Sequence, residues 1–274
     1  MGLRIATNTS SIAAQRVLGV QQKRAAHSAQ ALASGSRIVD AADDAAGLAI
    51  SENFKGQLKG MAQARNNASN AVSFVQVGEG GLGEITNILT RLRELGVQGA
   101  SDHLSDTERG FLDKEAQQLI QESDRIAKTT VFGNKKMLDG SAGEMQFQVG
   151  AFSGKDNQIK FKFDADATAG SLGIDSISVA GRDDARGSLD NIDKAMAKVG
   201  AMRANFGAMQ SRLDSTMNNL DVGYENLSAA NSRIRDTDIA KETADMASAN
   251  ILQQTAVSVL AQANQSPAVA LKLL

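Results

Sequence analysis

The sequence predicts a mainly α protein: long coiled-coil helices from both chain ends packed in an elongated bundle, with a small β-hairpin region in the middle of the sequence. Three observations carry this. Apolar residues recur in alternating steps of three and four over long stretches. The period switches to two only between the helical blocks. The composition is poor in bulky core fillers, with 4% aromatics, no Trp and alanine the commonest residue, which suits helices packed side by side.

Taken in chain order, the first helical segment offers a weak stripe at Leu18, Ala25 and Leu32. A stronger seam follows through Phe54, Leu58, Met61, Arg65, Ala68, Val72, Val75, Glu79 and Leu82. Within it stand four glycines, Gly78, Gly80, Gly81 and Gly83, each costing roughly 1 kcal/mol relative to Ala inside a helix, so a soft or bent spot is expected there. A third helix opens at Ser105, whose spacing to Glu108 is that of a capping box, and continues through Leu112, Ala116, Leu119, Ser123 and Ile126.

Met145, Phe147 and Val149 then alternate with Gln146 and Gln148, and Ile159, Phe161 and Phe163 alternate with Lys160 and Lys162, predicting a β-hairpin. A further short strand is expected at Ile177 to Val179. The longest seam holds Leu189, Ile192, Met196, Val199, Arg203, Phe206, Gln210, Leu213, Met217, Leu220, Tyr224 and Leu227, a rod of about 58 Å at 1.5 Å per residue. The last helix presents Ala249, Leu252, Ala256, Val259 and Ala263, mostly small contacts, so both terminal helices are marginal alone.

Charge excludes several functions. The chain carries 29 Lys and Arg against 31 Asp and Glu, a net charge of −2, with no bulk attraction for nucleic acid. The acid-free, Ser-containing start has the look of an organelle transit peptide, but that reading leaves the equally charge-poor C-terminal stretch unexplained. No run nears the roughly 20 apolar residues of a membrane span, and the opening residues lack the apolar core of a cleaved secretory signal. The absence of Cys excludes disulfides, thiolate nucleophiles and cysteine-held metals. Neither a nucleic-acid nor a membrane partner is expected, and no cofactor.

Catalytic constellations are missing. His27 and His103 are isolated, and Asp43 and Asp44 read as carboxylates serving backbone donors at a loop or helix start. Gly78-Glu-Gly80-Gly81-Leu-Gly83 matches a dinucleotide-binding fingerprint, with Asp102 about 20 residues on. The helical seam stays in phase through it, however, and no repeated strand–helix units exist to build a parallel sheet. The charged run Arg91 to Gln98 reads either as a solvated helix face over a core lined by Leu92 and Leu95 or as a partner surface, and periodicity leaves both open.

Over essentially its full length the chain resembles the bacterial flagellins. The resemblance rests on Ile5-Ala-Thr-Asn8, SGSRIVDAADDAAGLAIS from Ser34 to Ser51, RLRELGVQ from Arg91 with Glu115 and Asp124-Arg125-Ile126, ENLSAANSRIRDTDIAKE from Glu225, and VLAQANQSPAVALKLL from Val259. It implies a non-enzymatic subunit that polymerises with itself into the filament for swimming, exported to the cell exterior without a cleaved signal. A hook–filament junction protein, which shares the terminal helices, is the alternative.

The resemblance further implies a terminal helical domain of residues 1–42 and 235–274, disordered in the monomer and lining the inner tube, and an outer helical domain of residues 43–234 with its β region at about 131–187 and no added outer domain. Its outer coiled-coil core comprises Leu189, Ile192, Met196, Phe206, Leu213, Leu220 and Leu227. Leu18, Leu32, Ile239, Leu252 and Val259 belong to the assembly and chaperone helices. Partners implied are the export chaperone and export apparatus, the filament cap and the junction proteins. Arg91, Leu95 and Glu115 align with positions recognised by the Toll-like flagellin receptor of animal hosts. Phe132-Gly133-Asn134 departs from the family's usual Phe-Asn-Gly, so a different turn is expected there.

Overall fold

The computed structural model describes residues 7–271, with side chains described for residues 7–265. The opening motif from Ile5 and the closing motif from Val259 lie partly outside the described residues. Among the described residues six α-helices run in the order α1 (Thr9–Ser34), α2 (Ala45–Gly99), α3 (Asp106–Thr129), α4 (Ala169–Leu172), α5 (Arg182–Arg235) and α6 (Ile239–Leu271). Between α3 and α4 lie β1 (Val131–Phe132), β2 (Lys135–Lys136), β3 (Gly143–Gln148) and β4 (Gln158–Phe163). The chain forms two compact units, one from the residues up to Gly56 together with those from Glu225, the other Gln57–Tyr224. The first turns of α2 go with the end of α5 in the first of these units, joined by an Arg235–Glu52 ion pair.

In the terminal unit α1 and α6 are antiparallel. Asn8 donates to the Ala263 carbonyl at 2.7 Å, Ser11 Oγ to Asn264 Oδ1 at 2.9 Å, and at the other end the Thr237 amide donates to the Gly35 carbonyl at 3.0 Å. Asn8 also caps α1 by accepting from the Ser11 amide. The buried seam is Ser11, Ala14, Gln21, Ser28 and Ala31 against Ala249 and Ala256, spaced in threes and sevens and, Gln21 apart, built of small side chains. α1 ends on Gly35 at φ 68°, the left-handed residue that terminates helices without a Cβ clash. Asp43 then accepts from the Val39 and Asp40 amides at 3.0 and 2.9 Å, and Asp44 from the Gly47 amide at 2.8 Å. Both carboxylates thus serve backbone donors, as expected.

In the second unit α2, α3 and α5 share a core with the β segments. The capping box of α3 forms: Ser105 Oγ accepts from the Glu108 amide and Glu108 from the Ser105 amide. Arg109 is buried and seals the α2–α3 turn, donating to the Gly99 and Ser101 carbonyls at 3.0 and 2.9 Å and to Asp106 at 2.8 Å. The hairpin pairs Met145 with Phe161 and Phe147 with Ile159, in the register that the alternation demands.

The strand expected at Ile177 to Val179 does not form. Those residues are shielded by α3, whose side chains take their backbone groups: Gln117 donates to the Ile177 carbonyl at 2.8 Å and the Val179 amide donates to Asp113 at 2.8 Å. A hairpin not foreseen by periodicity, β1–β2, pairs Phe132 with Lys135 around Gly133 and Asn134. Gly133 sits at φ 58°, so the inverted Gly-Asn order still closes a two-residue turn.

The glycine cluster is not a break, since α2 runs through it as one 55-residue helix. A Cβ on Gly78 would lie 2.7 Å from Phe206 Cε2, and one on Gly81 2.7 Å from Leu138 Cδ1, whereas Gly80 and Gly83 face open space. Two of the glycines therefore admit neighbouring side chains. Gly80→Ala and Gly83→Ala are each expected to stabilise the unit by about 0.5–1 kcal/mol through helix propensity, and Gly81→Ala to destabilise it by about 1–3 kcal/mol through overpacking. Urea midpoints of the three variants test this, and equal shifts at all three sites would refute it.

Carboxylates that cap or pair also predict the acid response. The Ser105 amide and hydroxyl hold Glu108 below the usual carboxylate range, and the Asp40 amide followed by His27 holds Asp43 down likewise. Groups depressed in the folded state stabilise it fully above their unfolded value, roughly 4, and lose that contribution as pH falls through the folded value. The melting temperature is expected to be flat from pH 7 to 5 and to fall below about pH 4, with Glu108→Gln showing a shallower decline.

Candidate assembly and recognition surfaces

The terminal unit buries small residues and exposes large ones. On α1, Ile12, Val17 and Val20 face outward, and on α6 so do Ile239, Ile251, Leu252, Val257 and Val259, with Ile251 64% exposed. Isolated exposed apolar residues need no explanation, but this many, spread around both helices, leave the pair's outward apolar surface largely uncovered. Of the residues expected to mediate assembly, Ile239, Leu252 and Val259 lie on it, while Leu18 and Leu32 are half-buried. Leu252 and Val259 do not join the α1–α6 seam that the spacing suggested. Ala249 and Ala256 are the residues of that spacing that are buried in it. Ile12, Val17, Val20, Ile251 and Val257 were missed in the sequence. No single periodic signal marks them, since Ile12, Val17 and Val20 lie on α1 and Ile251 and Val257, six apart, share no register on α6.

On the second unit, Arg91 is exposed and holds two carboxylates: its Nη2 and Nε lie 2.7 and 2.9 Å from Glu115 Oε1, and its Nη1 lies 2.9 Å from Glu94 Oε2. Glu115 first, then Glu94, raises the guanidinium above its ordinary value. Arg93 pairs with Asp193 at 2.8 Å, and Val97 and Phe111 stand exposed nearby in sequence. Leu95, grouped with Arg91 and Glu115 by the resemblance, is 0% exposed and, with Leu92, packs into the core beneath the charged face.

Of the residues expected in the coiled-coil core, Ile192, Phe206, Leu213 and Leu220 are buried, and Leu189 and Met196 half-buried. Leu227, also half-buried, belongs to the terminal unit rather than to this core. Arg203 and Tyr224 leave the seam for solvent, and Ala195 and Met209 enter it. The glycine fingerprint lies mid-helix in α2, where backbone amides bond within the helix and none is left to cradle a phosphate. Asp102 pairs with Arg182 at 2.8 Å. Among the described residues no cluster of three His, Asp or Glu can hold a metal ion, and no helix is long and apolar enough to cross a membrane.

Comparison with known proteins decides the family. The bacterial flagellin N-terminal helical region matches residues 5–143, and the C-terminal helical region matches residues 189–274. The chain belongs to the bacterial flagellin family. It is 41% identical to a flagellin of Halalkalibacterium halodurans over 97% of this chain and 98% of that one, and 39% identical to the flagellar filament 30.7 kDa core protein of Treponema maltophilum over 94% of each. Bacillus cereus flagellin, a solved structure, aligns at 32% identity with a TM-score of 0.51, covering 57% of this chain and 88% of that one. A hook-associated protein of Vibrio parahaemolyticus aligns at 14% identity and a TM-score of 0.59 over 71% of this chain and 100% of that one, a likeness of fold alone. The stretch between the two flagellin regions holds most of β3, all of β4 and α4, packed into the core of the second unit rather than built out as a further domain.

Proposed function

We propose that this chain, a structural subunit of the bacterial flagellar filament, polymerises with copies of itself by burying the outward face of α1 and α6. The observation that carries the reading is the inversion in the terminal unit, where Ser, Ala and Gln fill the intramolecular seam while Ile12, Ile251, Leu252 and Val259 face solvent. A helix pair with so little internal burial is stabilised mainly by what covers it, so ordering of the ends and assembly become one event. Contacts of this kind between copies extend into an open helical polymer when the rotation does not close. Nothing in the comparisons favours the hook–filament junction alternative.

The chain acts structurally rather than as a catalyst, outside the cell, after export through the flagellar channel without a cleaved signal. The same face of α6 suits the export chaperone, which would shield it until neighbours replace it. The export apparatus, filament cap and junction proteins complete the partner set. Arg91 and Glu115 remain the candidates for recognition by the Toll-like receptor. Electron microscopy of seeded, full-length protein tests the main reading. Long uniform filaments are expected, and a chain that stays monomeric under every seeding condition would overturn it. Arg91→Ala is expected to lower receptor signalling by at least about tenfold, the worth of some 1.4 kcal/mol, without affecting filament yield.

A further inference from the structure

A cavity of about 350 Å³ opens between α1 and α6, lined by Gln21, Arg24, His27, Ser28, Glu242 and Asp245. Its two carboxylates, Glu242 and Asp245, outnumber its one guanidinium, Arg24. Gln21 is only 8% exposed, yet its Oε1 has no hydrogen-bond partner, a condition that folded proteins rarely leave unmet. His27 Nε2 lies 3.0 Å from Asp43 but, like Gln21 Oε1, is buried without a hydrogen-bond partner, and Arg24 is the guanidinium beside the two carboxylates. Among the described residues Glu242 and Asp245 have no ion-pair partner within 4.0 Å. The cavity therefore asks for a positively charged donor.

Such donors stand unused on the same unit. α1 contains no acid, and its Arg16 and Lys23 are exposed, seven residues apart and so on one stripe, with Val20 between them and Ile12 one turn before. Lys23 immediately precedes Arg24 in the helix, so it points about 100° away from the residue that lines the cavity; its own chain cannot bring it there without unwinding α1. A second copy can. Leu252 on the cavity rim is exposed, so an apolar contact and an ionic one coincide where the stripe would land.

We propose that this acidic cavity is a socket for the basic stripe of α1 from a second copy of the chain, an ammonium or guanidinium of Lys23 or Arg16 donating to Gln21 Oε1 and pairing with Glu242 and Asp245. The inference rests on the polymerising reading and assigns it a register. Its test is the critical concentration of the full chain, by sedimentation after seeding, for wild type, for Glu242→Lys with Asp245→Lys, for Arg16→Glu with Lys23→Glu, and for all four together.

Each pair is expected to raise the critical concentration at least tenfold in low salt, and the fourfold variant to return within about threefold of wild type, since ionic complementarity is restored with its sign reversed. Circular dichroism of the monomers separates lost assembly from lost folding. Should a charge-reversed pair lose helix, Glu242→Gln with Asp245→Asn takes its place, with a rise expected in the same direction. Wild type that polymerises while either pair does so equally well, or a fourfold variant no better than the worse pair, overturns the socket. Wild type that never polymerises overturns the reading beneath it.

Discussion

Replacing Leu252 and Val259 together by Ser is expected to leave the monomer's second unit melting as before while raising the critical concentration for polymerisation about thirtyfold. Both side chains are a little under half exposed in the isolated chain, 44% and 48%. Covered by neighbouring copies, the remaining surface of each contributes about 1 kcal/mol of apolar burial, and about 2 kcal/mol corresponds to roughly one and a half orders of magnitude in association. Ala256→Leu acts on the other side of the same helix. Ala256 is buried in the α1–α6 seam, where added methyl groups force the helices apart and lower the helix content of the terminal unit itself. Should the Leu252 and Val259 variant assemble at the wild-type concentration, the outward face is not the assembly surface.

The second large effect is expected at Phe206. Its ring centroid lies 6.0 Å from that of Phe161 and 5.8 Å from that of Phe163, and its edge rests against Gly78. Phe206→Ala is expected to cost about 3–5 kcal/mol, which for a unit of this size lowers the melting temperature by roughly 6–20 °C. The sharper readout is a double-mutant cycle with Gly78→Ala. In the wild-type background the new methyl group meets the Phe206 ring and destabilises. With the ring removed it fills part of the void and adds helix propensity, so the coupling is expected to exceed about 1 kcal/mol. Additive effects would show that Gly78 is there for some reason other than the ring.

Phe206 and Leu252 mark the boundary between what periodicity reveals and what it hides. The seam containing Ile192, Phe206, Leu213 and Leu220, the capping box at Ser105 and the hairpin register of Met145 and Phe161 were legible because each is a local pattern enforced by one repeat. The glycines were read as a weak point, since propensity counts only the helix they sit in and not the ring and leucine that approach it. Ile177 to Val179 failed as a strand because buried apolar alternation requires burial, which α3 supplied through Asp113 and Gln117 without any pairing strand. Leu92 and Leu95 were legible as the core residues beneath a charged face, because the helical period alone sends them inward. The face of α6 was half legible. Two apolar registers run along it, and the sequence alone does not say that the alanines turn inward.

The hydrogen bonds that close the terminal unit join residues 255 and 253 positions apart in the chain. Contacts of such high contact order form late, because the loop they close must first be ordered. While a chain emerges from its N-terminus, α1 has no intramolecular partner until α6 has followed it out. A product that stops short of α6 therefore never completes the helix pair, and the fold itself acts as a length check that keeps unfinished chains out of the polymer.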